Sequence, residues 1–122
     1  MPRFLQLLHT STMGRLFAKP LQGSLNLLIL RTLDRGPLHG YAIANRIQQI
    51  SDEVLQVEEG SLYPALHRME QEGWIKSEWK LSESNRRVRF YQLTGKGKDQ
   101  LKTEEHEWAR ISAAIAKVLR HA

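Results

Sequence analysis

Apolar residues crowd the stretch from Ser24 to Leu33, where Leu25, Leu27, Leu28, Ile29, Leu30 and Leu33 leave few polar positions, the pattern of a helix buried on most sides. Gly36-Pro37 ends it, since proline cannot continue the hydrogen-bond ladder. From about Tyr41 the spacing opens out. Ile43, Ile47 and Ile50 recur at i, i+4 and i+7 while Asn45, Arg46 and Gln49 fall on the other side, which predicts a short amphipathic helix with all three isoleucines inward. A third helix is bracketed by Ser61, a residue suited to capping an N-terminus, and Gly73, suited to the left-handed position that closes a C-terminus. Pro64 then belongs to the first turn, where a missing N–H costs nothing. That register turns Leu62, Ala65, Leu66 and Met69 inward and leaves Tyr63, His67, Arg68 and Gln71 outward.

The period changes after Gly73. Trp74 to Leu81 and Arg87 to Leu93 read as strands, the second carrying Val88, Phe90 and Tyr91, and the polar Ser82-Glu83-Ser84-Asn85-Arg86 between them predicts a hairpin. Gly95 and Gly97 weaken an early helical turn, and a long helix is expected from about Lys98. Its positions Leu101, Glu104, Trp108, Ile111, Ile115 and Val118 step by 3 and 4 alternately, the spacing of a seam that meets another helix. Ahead of all this, Leu5, Leu7, Leu8, Leu16 and Phe17 alternate with polar residues up to Pro20, fitting either a short amphipathic helix or an arm.

With 122 residues the chain has room for one ordinary globular domain. Three segments are expected within it: an extension at 1–20, three helices and a hairpin at 21–94, and the long helix at 95–122. No apolar run approaches the roughly 20 residues of a membrane span, and the first residues lack the apolar block of a secretory signal, so a cytoplasmic protein is expected. The absence of cysteine removes disulfides, thiolate metal sites and thiol nucleophiles. The five histidines are scattered, and no zinc-protease, phosphate-loop or nucleophile-elbow pattern occurs, so no enzyme, metal or cofactor is expected. The net charge of +5 is modest, but its placement matters. Arg86, Arg87, Arg89, Lys96 and Lys98 face only Glu83 between Ser82 and Lys98, whereas Asp52 to Glu59 holds four acids and no base. A local basic stripe of this kind suits a polyanion.

Three helices followed by a two-stranded hairpin is the order of a winged helix-turn-helix, giving a mainly α chain with a small β-hairpin (α+β) and a long C-terminal dimerisation helix. In that arrangement the third helix enters the major groove and the hairpin tip, the wing, lies on backbone or minor groove. Ser61, Tyr63, Pro64 and His67 then form the contacting front of the third helix. Arg68 either reaches a phosphate or pairs with Glu72 one turn on. His39 and Tyr41 open the second helix, a position that touches backbone, although Tyr41 equally fits core packing. Arg86 and Arg87 lie at the presumed wing tip, while Arg89 shares a strand face with Tyr91 and Leu93. The stripe Leu101, Trp108, Ile111, Ile115 and Val118 is expected to bury itself in a second copy, with Glu104 as its polar break. Trp108 is bulky for a tight seam, and either packs there or lines a pocket between protomers.

The runs Leu33-Asp34-Arg35-Gly36-Pro37-Leu38-His39-Gly40-Tyr41, Gly60-Ser61-Leu62-Tyr63-Pro64-Ala65-Leu66-His67-Arg68-Met69-Glu70, Gly73-Trp74-Ile75 and Arg89-Phe90-Tyr91-Gln92-Leu93-Thr94 resemble, in order and spacing, the signatures of bacterial PadR-type regulators. The resemblance covers about residues 21 to 120, and the single C-terminal helix is similar to the compact branch of that family. It implies a homodimer joined through the C-terminal helix and binding a palindromic operator in double-stranded DNA. It also implies repression of transcription, often relieved by a small apolar or phenolic effector, and in some ligand-responsive relatives a tryptophan on this helix, like Trp108, lines the pocket. The extension before Leu21 is the main departure. The competing reading is a winged-helix module for protein or RNA without operator specificity, which a neutral wing and an acidic or apolar third-helix front would favour.

Overall fold

The computed structural model describes residues 18–122, with side chains from Ser24 onward. The expectation for the first seventeen residues, helix or arm, lies outside them. In chain order the elements are α1 (Ala18–Leu33), β1 (Leu38–His39), α2 (Gly40–Ile50), α3 (Glu59–Gln71), β2 (Ile75–Leu81), β3 (Arg87–Leu93) and α4 (Gly95–His121). The helix expected from Ser24 therefore starts earlier, and the segment boundary drawn at residue 20 falls inside it.

α1 is the central helix. It packs against α2, α3, β3 and α4, which explains why its sequence is apolar on nearly every side. Leu25, Ile29, Leu30 and Leu33 are buried outright, and Leu27 and Leu28 pack partly against the same core. Ile43 and Ile47 of α2, Leu62, Ala65, Leu66 and Met69 of α3, and Ile75, Tyr91 and Leu93 of the sheet complete it, together with Leu101. The inward face expected for α3 is thus the one observed. Ile50 is not: it is 71% exposed at the last position of α2, where the chain already turns away through Ser51.

Two features of α3 differ from expectation. Its N-cap is Glu58, which makes no side-chain capping bond, and the N–H groups of Ser61 and Leu62 donate to the Glu58 carbonyl at 3.0 and 2.9 Å. Ser61 is therefore a first-turn residue and not the cap. Pro64 is consequently the sixth helical residue, so its missing N–H leaves the Gly60 carbonyl without an intrahelical donor. The exposed position of Gly60 lets water take that role. The C-terminal end agrees with expectation. Gly73 has φ of +79°, its N–H donates to the Glu70 carbonyl, and the Trp74 N–H donates to the Met69 carbonyl at 3.0 Å, a Schellman closure.

The sheet has three strands in the order β1-β3-β2, all antiparallel. The hairpin is the expected one, with Ile75 opposite Leu93 and Leu81 opposite Arg87. Its turn closes through Ser82 and Arg86, whose backbones bond at 2.8 Å, and Asn85 takes the left-handed conformation there at φ of +63°. The short β1 was not anticipated, because two residues after a proline carry no periodicity of their own; Leu38 and His39 are recruited by Tyr91 and Phe90 of β3.

α4 begins before Lys98, at Gly95, because Thr94 caps it: the Thr94 Oγ1 accepts from the Gly97 N–H at 3.0 Å. Gly97, which seemed to weaken the turn, is required by packing. A Cβ there would meet the Trp74 carbonyl oxygen at 2.0 Å. Among the described residues no helix is long and apolar enough to cross a membrane.

Candidate nucleic-acid interface

His39 initiates α2 as its N-cap. Its Nδ1 accepts from the Ala42 N–H at 3.2 Å, which leaves Nε2 as the donor of the neutral ring. The imidazole stacks on Tyr41 with ring centroids 6.5 Å apart and meets the edge of Phe90 at 5.6 Å. Tyr41 itself is exposed, so of the two alternatives open for it the core position is excluded.

α3 presents Ser61, Tyr63, Pro64, His67 and Arg68 on its exposed side. Arg68 makes no ion pair with Glu72 within the 4 Å that such a contact needs among the described residues. Tyr63 lies over the start of α2, so close to Gly40 that a Cβ on Gly40 would come within 2.8 Å of both its Oη and its Cε1. Gly40 thus seats Tyr63, a dependence that the sequence offered only as a glycine beside a helix start. Two carboxylates, Glu58 and Glu59, stand at the N-terminus of α3. They occupy the positive end of the helix dipole and compensate it.

The hairpin alternates as strands must. Ile75, Ser77, Trp79 and Leu81 of β2 share a face with Leu93, Tyr91, Arg89 and Arg87 of β3. Near the core that face is buried; outward it becomes Trp79, Leu81 and the two arginines. Arg87 sits over the Trp79 ring at 5.1 Å and Arg89 at 5.6 Å. Arg89 also donates from Nε to the Ser77 Oγ at 2.7 Å and from Nη2 to Glu70 of α3 at 3.3 Å, and Ser77 donates to the same Glu70 carboxylate at 2.8 Å. Of the three wing arginines, Arg89 therefore fastens the hairpin to α3, while Arg86 and Arg87 are exposed at and beside the turn. Glu70, Ser77 and Trp79 were not singled out in sequence; strand alternation placed Trp79 opposite Arg89 and was the signal available.

These pieces enclose one cleft of about 350 Å³, bounded by His39, Gly40 and Tyr41 from α2 and its cap, Tyr63 from α3, and Trp79, Val88, Arg89 and Tyr91 from the hairpin. Burial pushes the Tyr91 phenol above its ordinary value, partly offset by the Arg89 cation, with Glu70 and Tyr63 adding to the rise.

Trp108, Ile111, Ile115 and Val118 line one exposed stripe of α4, joined by Leu119. Leu101, assigned in sequence to the same seam, is buried in the chain's own core and cannot serve a second copy. Glu104 is half-buried and accepts from Gln100 at 2.8 Å. No group of three metal-ligating side chains occurs among the described residues.

Comparison with known proteins gives the following. The chain is 39% identical over 89 residues to a 37.1 kDa protein in transposon TN4556 of Streptomyces fradiae, spanning about a quarter of that relative's length. It is 28% identical over 95 residues to a protein of Lysinibacillus sphaericus, covering 87% of it. Among solved structures it is similar to a transcriptional regulator from Clostridium thermocellum, with a TM-score of 0.75 and 31% identity over 81% of this chain and 96% of that one. A PadR family transcriptional regulator from Eggerthella lenta superposes with a TM-score of 0.74 at 26% identity, covering 95% of this chain and 99% of that one. Residues 29–103 match the family model described as the transcriptional regulator PadR-like family. That match extends from the middle of the central helix through the wing to the start of α4, and the chain belongs to the PadR-like family of transcriptional regulators.

Proposed function

We propose that the chain is a homodimeric repressor that reads a palindromic operator in duplex DNA, and that a small apolar or phenolic effector acting near Trp108 relieves the repression. The observation that carries the DNA reading is the cleft itself. Residues separated by fifty positions in sequence, His39 and Tyr41, Tyr63, and Arg89 with Trp79, converge on one exposed surface with Arg86 and Arg87 at its outer edge. Hydroxyls, an imidazole donor and guanidinium groups on a protruding helix and hairpin match what a groove and its two phosphate walls offer. The apolar stripe of α4 supports a second copy, and the exposed Trp108 within that stripe supports an apolar or phenolic effector nearby.

The test is a fluorescence-anisotropy titration against the chain's own promoter fragment and an unrelated duplex across a salt series. Tight promoter binding is expected, with specificity lost in Tyr63→Ala and the salt slope reduced by about one unit per phosphate contact removed in Arg86→Ala/Arg87→Ala. Equal weak binding to both duplexes, untouched by these substitutions, sinks the reading in favour of a protein or RNA interaction module.

A further inference from the structure

We infer that Trp79 is itself a DNA contact, its indole packing on the deoxyribose units of the strand that passes between α3 and the wing. Trp79 is 53% exposed and takes no part in the buried core. It does not dangle. The Arg87 and Arg89 guanidinium groups, 5.1 and 5.6 Å from its ring, hold the indole upright on the wing face that looks toward α3. Across the cleft stands Tyr63, seated on Gly40.

Once a recognition helix enters one groove and the wing the next, the single strand dividing those grooves has to lie in the space between them. That strand alternates an apolar sugar with an anionic phosphate. The cleft offers the same alternation: an aromatic wall at Trp79 for the sugar, and beside it cations and hydroxyls for the phosphate. Leu81, 68% exposed on the same face one step outward, extends the apolar edge. A sugar-phosphate strand uses both parts of this surface, the indole for its sugars and the two flanking cations for its phosphates. Apolar contacts of this type add affinity without releasing counterions, so they are insensitive to salt.

The inference rests on the duplex-binding reading, and the experiment separates the two. The full chain is labelled with 5-fluorotryptophan, the Trp79 resonance is identified by its loss in Trp79→Phe, and the fluorine spectrum is followed as promoter duplex is added in H₂O and in D₂O. On binding, the Trp79 resonance is expected to shift and lose its solvent isotope effect while that of half-buried Trp74 stays. In parallel, Trp79→Ala is expected to weaken duplex binding about tenfold with an unchanged salt slope, and Trp79→Phe less. A complex that forms with Trp79 still solvated overturns the inference alone. A chain that binds no duplex overturns it together with the reading beneath it.

Discussion

Gly97 and Gly40 carry the same substitution risk on paper and opposite consequences in the structure. A methyl at Gly97 meets backbone, the Trp74 carbonyl at 2.0 Å, and the Leu93 Cδ1 at 2.8 Å, and neither can move without prising α4 from the sheet. Gly97→Ala is expected to cost on the order of 3 kcal/mol and about 10 °C in thermal unfolding. At Gly40 the obstacle is the far end of the Tyr63 side chain, which can swing aside. Gly40→Ala should therefore unfold within a few degrees of the parent while losing duplex affinity as Tyr63 loses its seat; unchanged affinity in anisotropy would refute the seating argument. Tyr91 yields a pH prediction. Burial raises its folded pKa above the ordinary value near 10, so its contribution to stability is complete below that value and drains away as pH rises through the folded pKa. Denaturant titrations at pH 8 and pH 10.5 should show the parent losing stability relative to Tyr91→Phe over that interval.

Elements, unlike single residues, are joined here by a small polar device. Arg89, Ser77 and Glu70 tie the hairpin to α3. The Arg89 and Glu70 side chains are 43% and 25% exposed, so solvent screens the pair and the coupling is modest. A double-mutant cycle of Glu70→Ala and Arg89→Ala should give about 0.5 to 1 kcal/mol in stability. Zero coupling would mean that the hairpin is held by its core residues alone. Most elements were legible in the sequence because each carries its own periodicity: the α3 stripe, the hairpin alternation and the α1 block all lie where the pattern put them. What was not legible depended on partners elsewhere in the chain. β1 exists because β3 offers an edge, the glycine-bearing first turn of α4 forms from Gly95 because Thr94 caps it, and Leu101 fits a heptad seam yet is buried in the chain's own core. The candidate site was legible as a set of residue types, while the cleft and the Arg89 fastening needed the third dimension.

At the scale of the whole molecule the unspent surface is α4. Its 27 residues span about 40 Å, of which the first turns, through Gly97 and Leu101, pack on the chain itself. Beyond them Trp108, Ile111, Ile115 and Val118 are 40 to 62% exposed to water along one stripe, with Ile111 the least exposed. A stable protein interface needs roughly 800 Å² from each partner, an area that paired helices of this length can supply. The stripe lies apart from the core, so Ile111→Glu/Ile115→Glu should leave the fold intact while placing two carboxylates in any helix seam. Sedimentation at micromolar concentration is expected to give a dimer for the parent and a monomer for the variant, and the parent's thermal midpoint should rise with protein concentration where the variant's does not. The variant should also bind a palindromic duplex no better than a single half-site, because two recognition helices act together only when a seam fixes their spacing. A parent that sediments as a monomer at every concentration would remove the two-fold from the protein, and with it the reason to expect one in the operator.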